Sequence, residues 1–132
     1  YSVLALGADQ MLKTLKHARL TQSHEREMRA LLAVDLLIVD DFLLTPLSEW
    51  ERRDILEVVE GRYDAGATII ASQCPIKDWH PNIGDPTLAD AIMDRLLHNA
   101  YKIEMRGDSM RTRRTGTKIE RKEAIETDGK LS

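Results

Sequence analysis

Several common classes of protein are excluded by what the sequence lacks. Its single cysteine, Cys74, cannot form an internal disulfide, and no Cys or His cluster beside it has the spacing of a zinc site. No apolar run approaches the ~20 residues that a membrane helix needs. No basic segment precedes a signal core at the N-terminus. We therefore expect a cytoplasmic protein with a reduced thiol and no membrane span.

The chain also contains no phosphate-binding loop of the form GxxxxGK[ST]. Its only Gly-Lys pair, Gly129-Lys130, is followed by Leu131 and has no strand before it. In proteins that carry this loop, its backbone N–H groups hold the nucleotide phosphates. The 132 residues therefore do not themselves supply a loop of this kind.

Length and charge indicate one domain followed by a polar tail. The 132 residues, 42% of them hydrophobic, can form one core but not two. The net charge of -3 hides an asymmetry, because the residues from Arg106 onward hold eight basic and five acidic side chains. We expect a domain over 1–111 and a polar tail over 112–132 that is either mobile or forms a short peripheral helix around 119–125. The net acidic charge of the rest of the chain does not exclude DNA binding, because local patches set the field, but it makes a nucleic-acid ligand a weaker prediction than a nucleotide.

The segment Leu36-Leu37-Ile38-Val39 leads directly into Asp40 and Asp41. Such an apolar run is typical of a strand buried on both faces of a parallel sheet. Ligands of α/β proteins bind at the carboxyl ends of such strands, where carboxylates can hold magnesium and orient water. The alternative is an Asp-Asp turn that only ends the strand.

A second predicted strand, 67–71, also ends in polar residues, Ser72-Gln73. Two buried strands then present polar groups at the same edge of a sheet, which favours a functional site there. A hydrophobic unit, 88–97, follows with Arg95, and a strand-like stretch, 100–105, comes after it. The chain begins with a strand-like segment, 1–5. Helices are predicted over 8–19 with Asp9 as the cap, over 24–33 with Ser23 as the cap, and after Ser48, which caps the third. Trp79-His80-Pro81 is predicted to lie in a loop.

The first two predicted helices carry a basic cluster. Its members could contact phosphates of DNA, but a solvated surface with Glu25 and Glu27 as counter-charges is the favoured interpretation. The cluster consists of Lys13, Lys16, His17, Arg19, Arg26 and Arg29.

Five blocks in one order now make a family resemblance specific: VDLLIVDDF, PLSEWERRDILEVVEGRY, ATIIASQCPIKDWH, IGDPTLADAIMDRLLHNAYKIEM and GDSMR. Over roughly residues 1–115 the chain resembles the C-terminal part of the ATPase domain of IstB-like proteins, the transposition helpers of bacterial insertion sequences. DnaC-type helicase loaders are close relatives. The resemblance implies an α/β fold, a partial P-loop NTPase domain of the AAA+ type. Its mostly parallel sheet would be flanked by helices and would lack the strand that feeds the phosphate loop. That strand is expected between the one at 36–40 and the one at 101–105.

The resemblance also implies roles for individual residues. Asp40 would bind Mg²⁺, through water, and Asp41 would orient the attacking water, although the superfamily often has the longer Glu at this second position. Ser72 or Gln73 would be the polar sensor near the γ-phosphate. Arg95 matches the arginine finger that reaches a nucleotide on an adjacent subunit, the alternative being a surface arginine paired with Asp90 or Asp94. Arg111 would be a second phosphate-sensing arginine.

The function implied is ATP-dependent assistance of DNA transposition, with ATP and Mg²⁺ as cofactors. DNA, a transposase and further copies of the chain are the implied partners, and no membrane is involved. Alternatives are a DNA-binding or assembly adaptor that does not hydrolyse ATP, and a helicase loader of the DnaC type. A two-component receiver domain is disfavoured, because the strand after Asp41 does not end in the phosphorylatable Asp that it needs. The isolated 132 residues are expected to bind ATP with no measurable affinity.

Overall fold

Strands and helices alternate along the first 97 residues of the computed structural model. The structure describes residues 1–98, 100, 101, 103–106 and 118–120, and for 104–106 and 118–120 it describes the backbone only. It divides into two units, Tyr1–Arg95 and Leu96–Ser132. The elements are β1 Val3–Gly7, α1 Ala8–Leu20, α2 His24–Ala33, β2 Leu36–Asp40, α3 Glu49–Arg62, β3 Ala67–Ile70, a 3-10 turn Ile76–Asp78, α4 Trp79–Ile83, α5 Pro86–Leu97, β4 Glu104–Arg106 and β5 Lys118–Glu120.

Three parallel strands form the sheet of the first unit, in the order β1-β2-β3. Gly7 lies opposite Asp40 in the register, and Val39 lies opposite Ile70. This confirms the predicted α/β class with a parallel sheet. It also shows that one expectation was wrong: β2 has a partner on each edge, so a further strand cannot pair with the segment at 36–40 and could join the sheet only at an outer edge of β1 or β3.

The two faces of this sheet differ in exposure. Leu37 and Val39 on one face are buried at 0% and 2% exposure. On the other face Val3 is 57% exposed and Ile69 is 51% exposed. Side chains alternate between the faces of a strand, so the helices of this unit cover one face and leave the other largely open.

The capping predictions had mixed outcomes. Ser48 caps α3, as predicted. The structure adds a capping box with Glu51, which satisfies two backbone N–H groups that the helix leaves unpaired. Ser23 is the N-cap residue of α2, but its hydroxyl bonds Thr21 instead of the backbone. Asp9 is not the cap of α1: Gly7 is the N-cap residue, and Asp9 lies in the first turn bound to Lys13.

Three segments differ from the sequence-based expectations. Trp79-His80-Pro81 begins the short helix α4 instead of lying in a loop, and the indole of Trp79 is buried. The predicted strand at 100–105 is shorter, and β4 pairs antiparallel with β5 in a separate two-stranded sheet. The possible helix at 119–125 is wrong for residues 119 and 120, which belong to β5; its remainder lies outside the described residues.

Two buried charged side chains hold the first unit together. Asp54 of α3 is 2% exposed and accepts two hydrogen bonds from Arg19 of α1, at 2.9 and 2.7 Å, while His24 of α2 lies 3.0 Å from it. This hydrogen bond raises the pKa of Arg19. Arg62, at the C-terminal end of α3, is 3% exposed and binds backbone carbonyls at the end of α2 and the start of β3.

Among the described residues no helix is long and apolar enough to cross a membrane.

Candidate functional site at the carboxyl edge of the sheet

Asp40 and Asp41 lie where β2 ends, and both are exposed. The Asp40 carboxylate accepts a hydrogen bond from the backbone N–H of Asp41 through Oδ1 at 2.8 Å. Its second oxygen makes no hydrogen bond in the part of the chain that the structure describes. Asp41 has a φ of 55°, in the left-handed region that Asp tolerates better than most residues. The chain therefore turns sharply at Asp41, and the two carboxylates stay open to solvent.

Ser72 and Gln73 follow β3 at the same edge, as predicted. The Ser72 hydroxyl donates a hydrogen bond to the backbone carbonyl of Phe42, the residue after Asp41, and accepts one from the N–H of Cys74 at 3.0 Å. Gln73 is exposed, and its side chain has no hydrogen-bond partner among the described residues. The Ser72 hydroxyl is therefore hydrogen-bonded within the chain, whereas the Gln73 side chain is available to a ligand.

Arg95 lies away from this edge. Its guanidinium donates to Asp94 at 2.9 Å and stacks on the ring of Tyr63, with 5.3 Å between the guanidinium carbon and the ring centroid. Tyr63 follows the last turn of α3 and precedes Ala67, the first residue of β3, so it lies at the amino edge of the sheet. Arg95 is therefore not brought together with Asp40 and Asp41 within its own chain. Arg111 lies outside the described residues.

The donor set at the carboxyl edge fits a hydrated magnesium ion. Mg²⁺ prefers oxygen ligands, keeps several waters and commonly uses one or two carboxylates. Asp40 and Asp41 supply carboxylates that are exposed enough to leave room for those waters. Gly7, beside Asp40 in the register, has no atom within 4 Å of the position where a Cβ would stand. The residues present thus match the chemistry of the ion that the family resemblance implies.

Sequence reasoning missed the polar group made by Arg19, His24 and Asp54. It placed Arg19 in the surface basic cluster, whereas the structure binds it to Asp54 and stacks it over Trp50 at 4.6 Å. His24, Asp54 and Glu57 lie close enough to share a metal ion, but Arg19 already occupies both Asp54 oxygens. Their spacing along the chain gives no local signal, because the three residues meet only when α1, α2 and α3 pack.

The rest of the basic cluster mostly faces solvent. Lys13 pairs with Asp9 within α1, and Arg29 pairs with Glu25 within α2. Such exposed pairs are typical of a solvated surface and contribute little to stability. The imidazole of His80 lies 3.0 Å from the carboxylate of Asp90 and is hydrogen-bonded to it.

A family comparison decides what kind of protein carries this site. The profile described as IstB-like ATP binding protein matches residues 1–118. The chain belongs to the IstB-like family. Two relatives are insertion sequence ATP-binding proteins of Sinorhizobium fredii: y4uH is 43% identical over 91% of this chain, and y4pL is 47% identical over 83% of it. These matches span 48% and 45% of the relatives, so the IstB-like chain covers about half of their length.

Solved structures support the fold. The AMPPCP-bound DnaA of Aquifex aeolicus superposes with a TM-score of 0.57 and 19% identity, over 69% of this chain and 29% of that one. A replication initiator DnaA bound to AMPPCP and single-stranded DNA gives a TM-score of 0.56 at 19% identity, over 70% of this chain and 28% of that one. At this identity the likeness shows the fold alone, an α/β arrangement with a parallel sheet flanked by helices.

Proposed function

We propose that the IstB-like chain is the catalytic-edge portion of an ATPase that assists DNA transposition, and that the complete domain hydrolyses ATP. The observation that carries this proposal is the convergence of Asp40, Asp41 and Gln73 at the carboxyl edge of a parallel sheet, in a chain of an ATP-binding family. Ligands of open α/β sheets bind at this edge. Phosphoryl transfer needs charge neutralisation and a positioned water there more than it needs a covalent nucleophile.

Each acidic residue has a separate role in this proposal. Asp40 holds hydrated magnesium through its free carboxylate oxygen, since the other oxygen is engaged with the Asp41 N–H. When bound, the ion neutralises charge on the nucleotide phosphates. Asp41 accepts a hydrogen bond from the attacking water and orients it, and the shorter Asp side chain requires the water to lie close to the turn.

Arg95 acts on a neighbouring copy in this proposal. Its position at the amino edge of its own sheet, away from Asp40 and Asp41, is compatible with a group that reaches a nucleotide held by another subunit. Its ion pair with Asp94 is exposed, so separating the two costs little. A guanidinium stabilises the spread charge of a transferring phosphoryl group better than an ammonium does. Oligomer formation is thus required for full activity.

DNA and a transposase are the proposed partners. The relatives carry names that associate them with insertion sequences, and one structural neighbour was solved with single-stranded DNA. The exposed Lys13 and Lys16 of α1 supply positive charge for phosphate contacts, and the exposed His17 beside them supplies an imidazole N–H. Such contacts would give binding that weakens as salt rises.

A second candidate is an adaptor that assembles on DNA without hydrolysis, or a helicase loader. It is favoured by one observation: Arg95 is already engaged with Asp94 and Tyr63. An arginine kept in these contacts would not serve a neighbouring nucleotide. Turnover measurements separate this candidate from the first.

A chimera provides the test. In it the chain replaces the matching 120-residue stretch of y4uH, so that it is joined to the other half of a relative. We expect the chimera to hydrolyse ATP, and Asp41→Asn to slow turnover by about two orders of magnitude while nucleotide affinity stays within a few-fold. Titration calorimetry of the 132 residues alone is the control and should give no measurable magnesium-ATP binding. Asp41→Asn turnover within a few-fold of the parent would remove Asp41 from the mechanism.

A further inference from the structure

The turn after β2 is held in a conformation that its residues disfavour. Asp41 and Leu43 have φ values of 55° and 61°. The N–H of Leu44 bonds the carbonyl of Asp41 at 3.3 Å, which closes a turn with Leu43 at the position where glycine is usual. A bulky residue in the left-handed region is strained and persists only where the surroundings enforce it.

Phe42, in the middle of this turn, is bound at both of its peptide groups. Its N–H donates to the carbonyl of Ala71 at 2.9 Å, and its carbonyl accepts the hydroxyl hydrogen of Ser72. Both partners follow β3. The direction of the peptide that follows Asp41 is therefore fixed by the neighbouring strand.

Packing reinforces these hydrogen bonds. The Phe42 ring is 1% exposed and meets the Trp79 ring edge to face, with 5.2 Å between the centroids and 77° between the planes. The Trp79 indole N–H donates to the carbonyl of Cys74 at 2.7 Å, and the Cys74 N–H donates to Ser72. Ser72, Phe42, Cys74 and Trp79 thus form one connected set, which we name the turn clamp.

We propose that the turn clamp positions the Asp41 carboxylate, with Ser72 as its positioning residue and not as the group that contacts the nucleotide or its water. The Ser72 hydroxyl has one hydrogen, and it donates this hydrogen in a hydrogen bond to the Phe42 carbonyl. Gln73 is left as the polar member of the pair that can reach outward. This inference rests on the proposed ATPase function and adds a specific means by which the strained turn is kept.

Two measurements on the chimera test the clamp. Ser72→Ala removes the bond to Phe42, so amide exchange of residues 41–44 should accelerate about three- to tenfold, the change expected for one net hydrogen bond. Turnover should fall about tenfold while KM for ATP changes less than twofold, because the water is misplaced and the nucleotide still binds. Ser72→Thr keeps the hydroxyl and should restore both values.

The matched control is Ser23→Ala, which removes a half-buried hydroxyl bonded to Thr21 elsewhere in the chain. It should leave exchange at 41–44 and turnover unchanged. Unchanged exchange in Ser72→Ala overturns the clamp. Faster exchange with unchanged turnover overturns its role in positioning Asp41. If the parent chimera shows no ATP turnover, the proposed function has failed, and the exchange measurement then stands as a separate test of the clamp's structure.

Discussion

The two edges of the parallel sheet are built on opposite principles. At the amino edge Arg62 is 3% exposed, and burial lowers its pKa, with Asp35 opposing that effect. Its guanidinium donates to the carbonyls of Leu31, Val34 and Ala67 at 2.7 to 2.9 Å. At the carboxyl edge Asp40 and Asp41 are exposed and leave carboxylate oxygens free. The charge of Arg62 at the amino edge is hydrogen-bonded inside the fold, whereas the charges of Asp40 and Asp41 at the carboxyl edge remain available to a ligand.

The largest expected effect concerns Arg95. It lies at the amino edge but its charge is exposed, so it would be an exception to the rule that charge at this edge is buried in the fold. Arg95→Ala in the chimera should reduce assembly-dependent turnover by about a thousandfold or more, the scale of an arginine finger, with nucleotide affinity nearly intact. Mixing it with Asp41→Asn subunits should restore part of the activity, because each subunit supplies what the other lacks. No recovery in demonstrably mixed oligomers would mean that Arg95 acts within its own chain or not at all.

Removing the buried charge at the amino edge should damage stability instead of chemistry. Arg62→Leu leaves several carbonyl oxygens without a donor, and each buried unsatisfied group costs about 1 to 3 kcal/mol. We expect the free energy of unfolding in urea to fall by about 3 kcal/mol or more. Arg26→Leu is the control, since Arg26 is exposed and has no partner among the described residues. A comparable loss of unfolding free energy there would show that the hydrogen bonds of Arg62 do not stabilise the fold.

A smaller stability effect is expected at Asp54, where the three helices meet. Asp54→Ala should lower the free energy of unfolding by about 2 kcal/mol, less than for a wholly buried pair because the Arg19 side chain is 28% exposed. Asp94→Ala removes an exposed pair of Arg95 and should cost under about 0.5 kcal/mol. Equal losses in the two variants would contradict the distinction between used and available charge.

Apart from the Asp94→Ala comparison, the smallest effect concerns the cap that begins α3, between the carboxyl edge and the helix that ends in Arg62. Ser48→Ala removes the capping box and should destabilise the protein by about 1 kcal/mol. Ser48→Asp keeps an acceptor and should recover most of that loss. Thermal unfolding of the three proteins side by side measures it, and identical melting temperatures would show that the cap is not needed.

Local signals explain which predictions succeeded. Leu36-Leu37-Ile38-Val39 forms β2 because a short apolar run bounded by polar residues suits a buried strand, and Ser48 caps α3 because Glu51 stands three residues later. Asp9 failed as a cap because an acidic residue in the first turn of a helix gives a similar pattern. The antiparallel pairing of β4 with β5 was not predicted, because the apolar stretch 100–105 carries no mark of its partner.

The sequence by itself determined the alternation of strands and helices, the acidic pair after β2 and the polar pair after β3, because these follow from periodicity and composition over a few residues. Only the tertiary structure decided that Arg62 and Asp54 are buried, that Ser72 faces Phe42 and that Arg95 lies at the amino edge. Each of these depends on contacts between residues about 30 positions apart, or on a choice between two chemically similar neighbours. Local sequence patterns do not predict such contacts, because the free energy of these contacts arises only when the helices and strands pack.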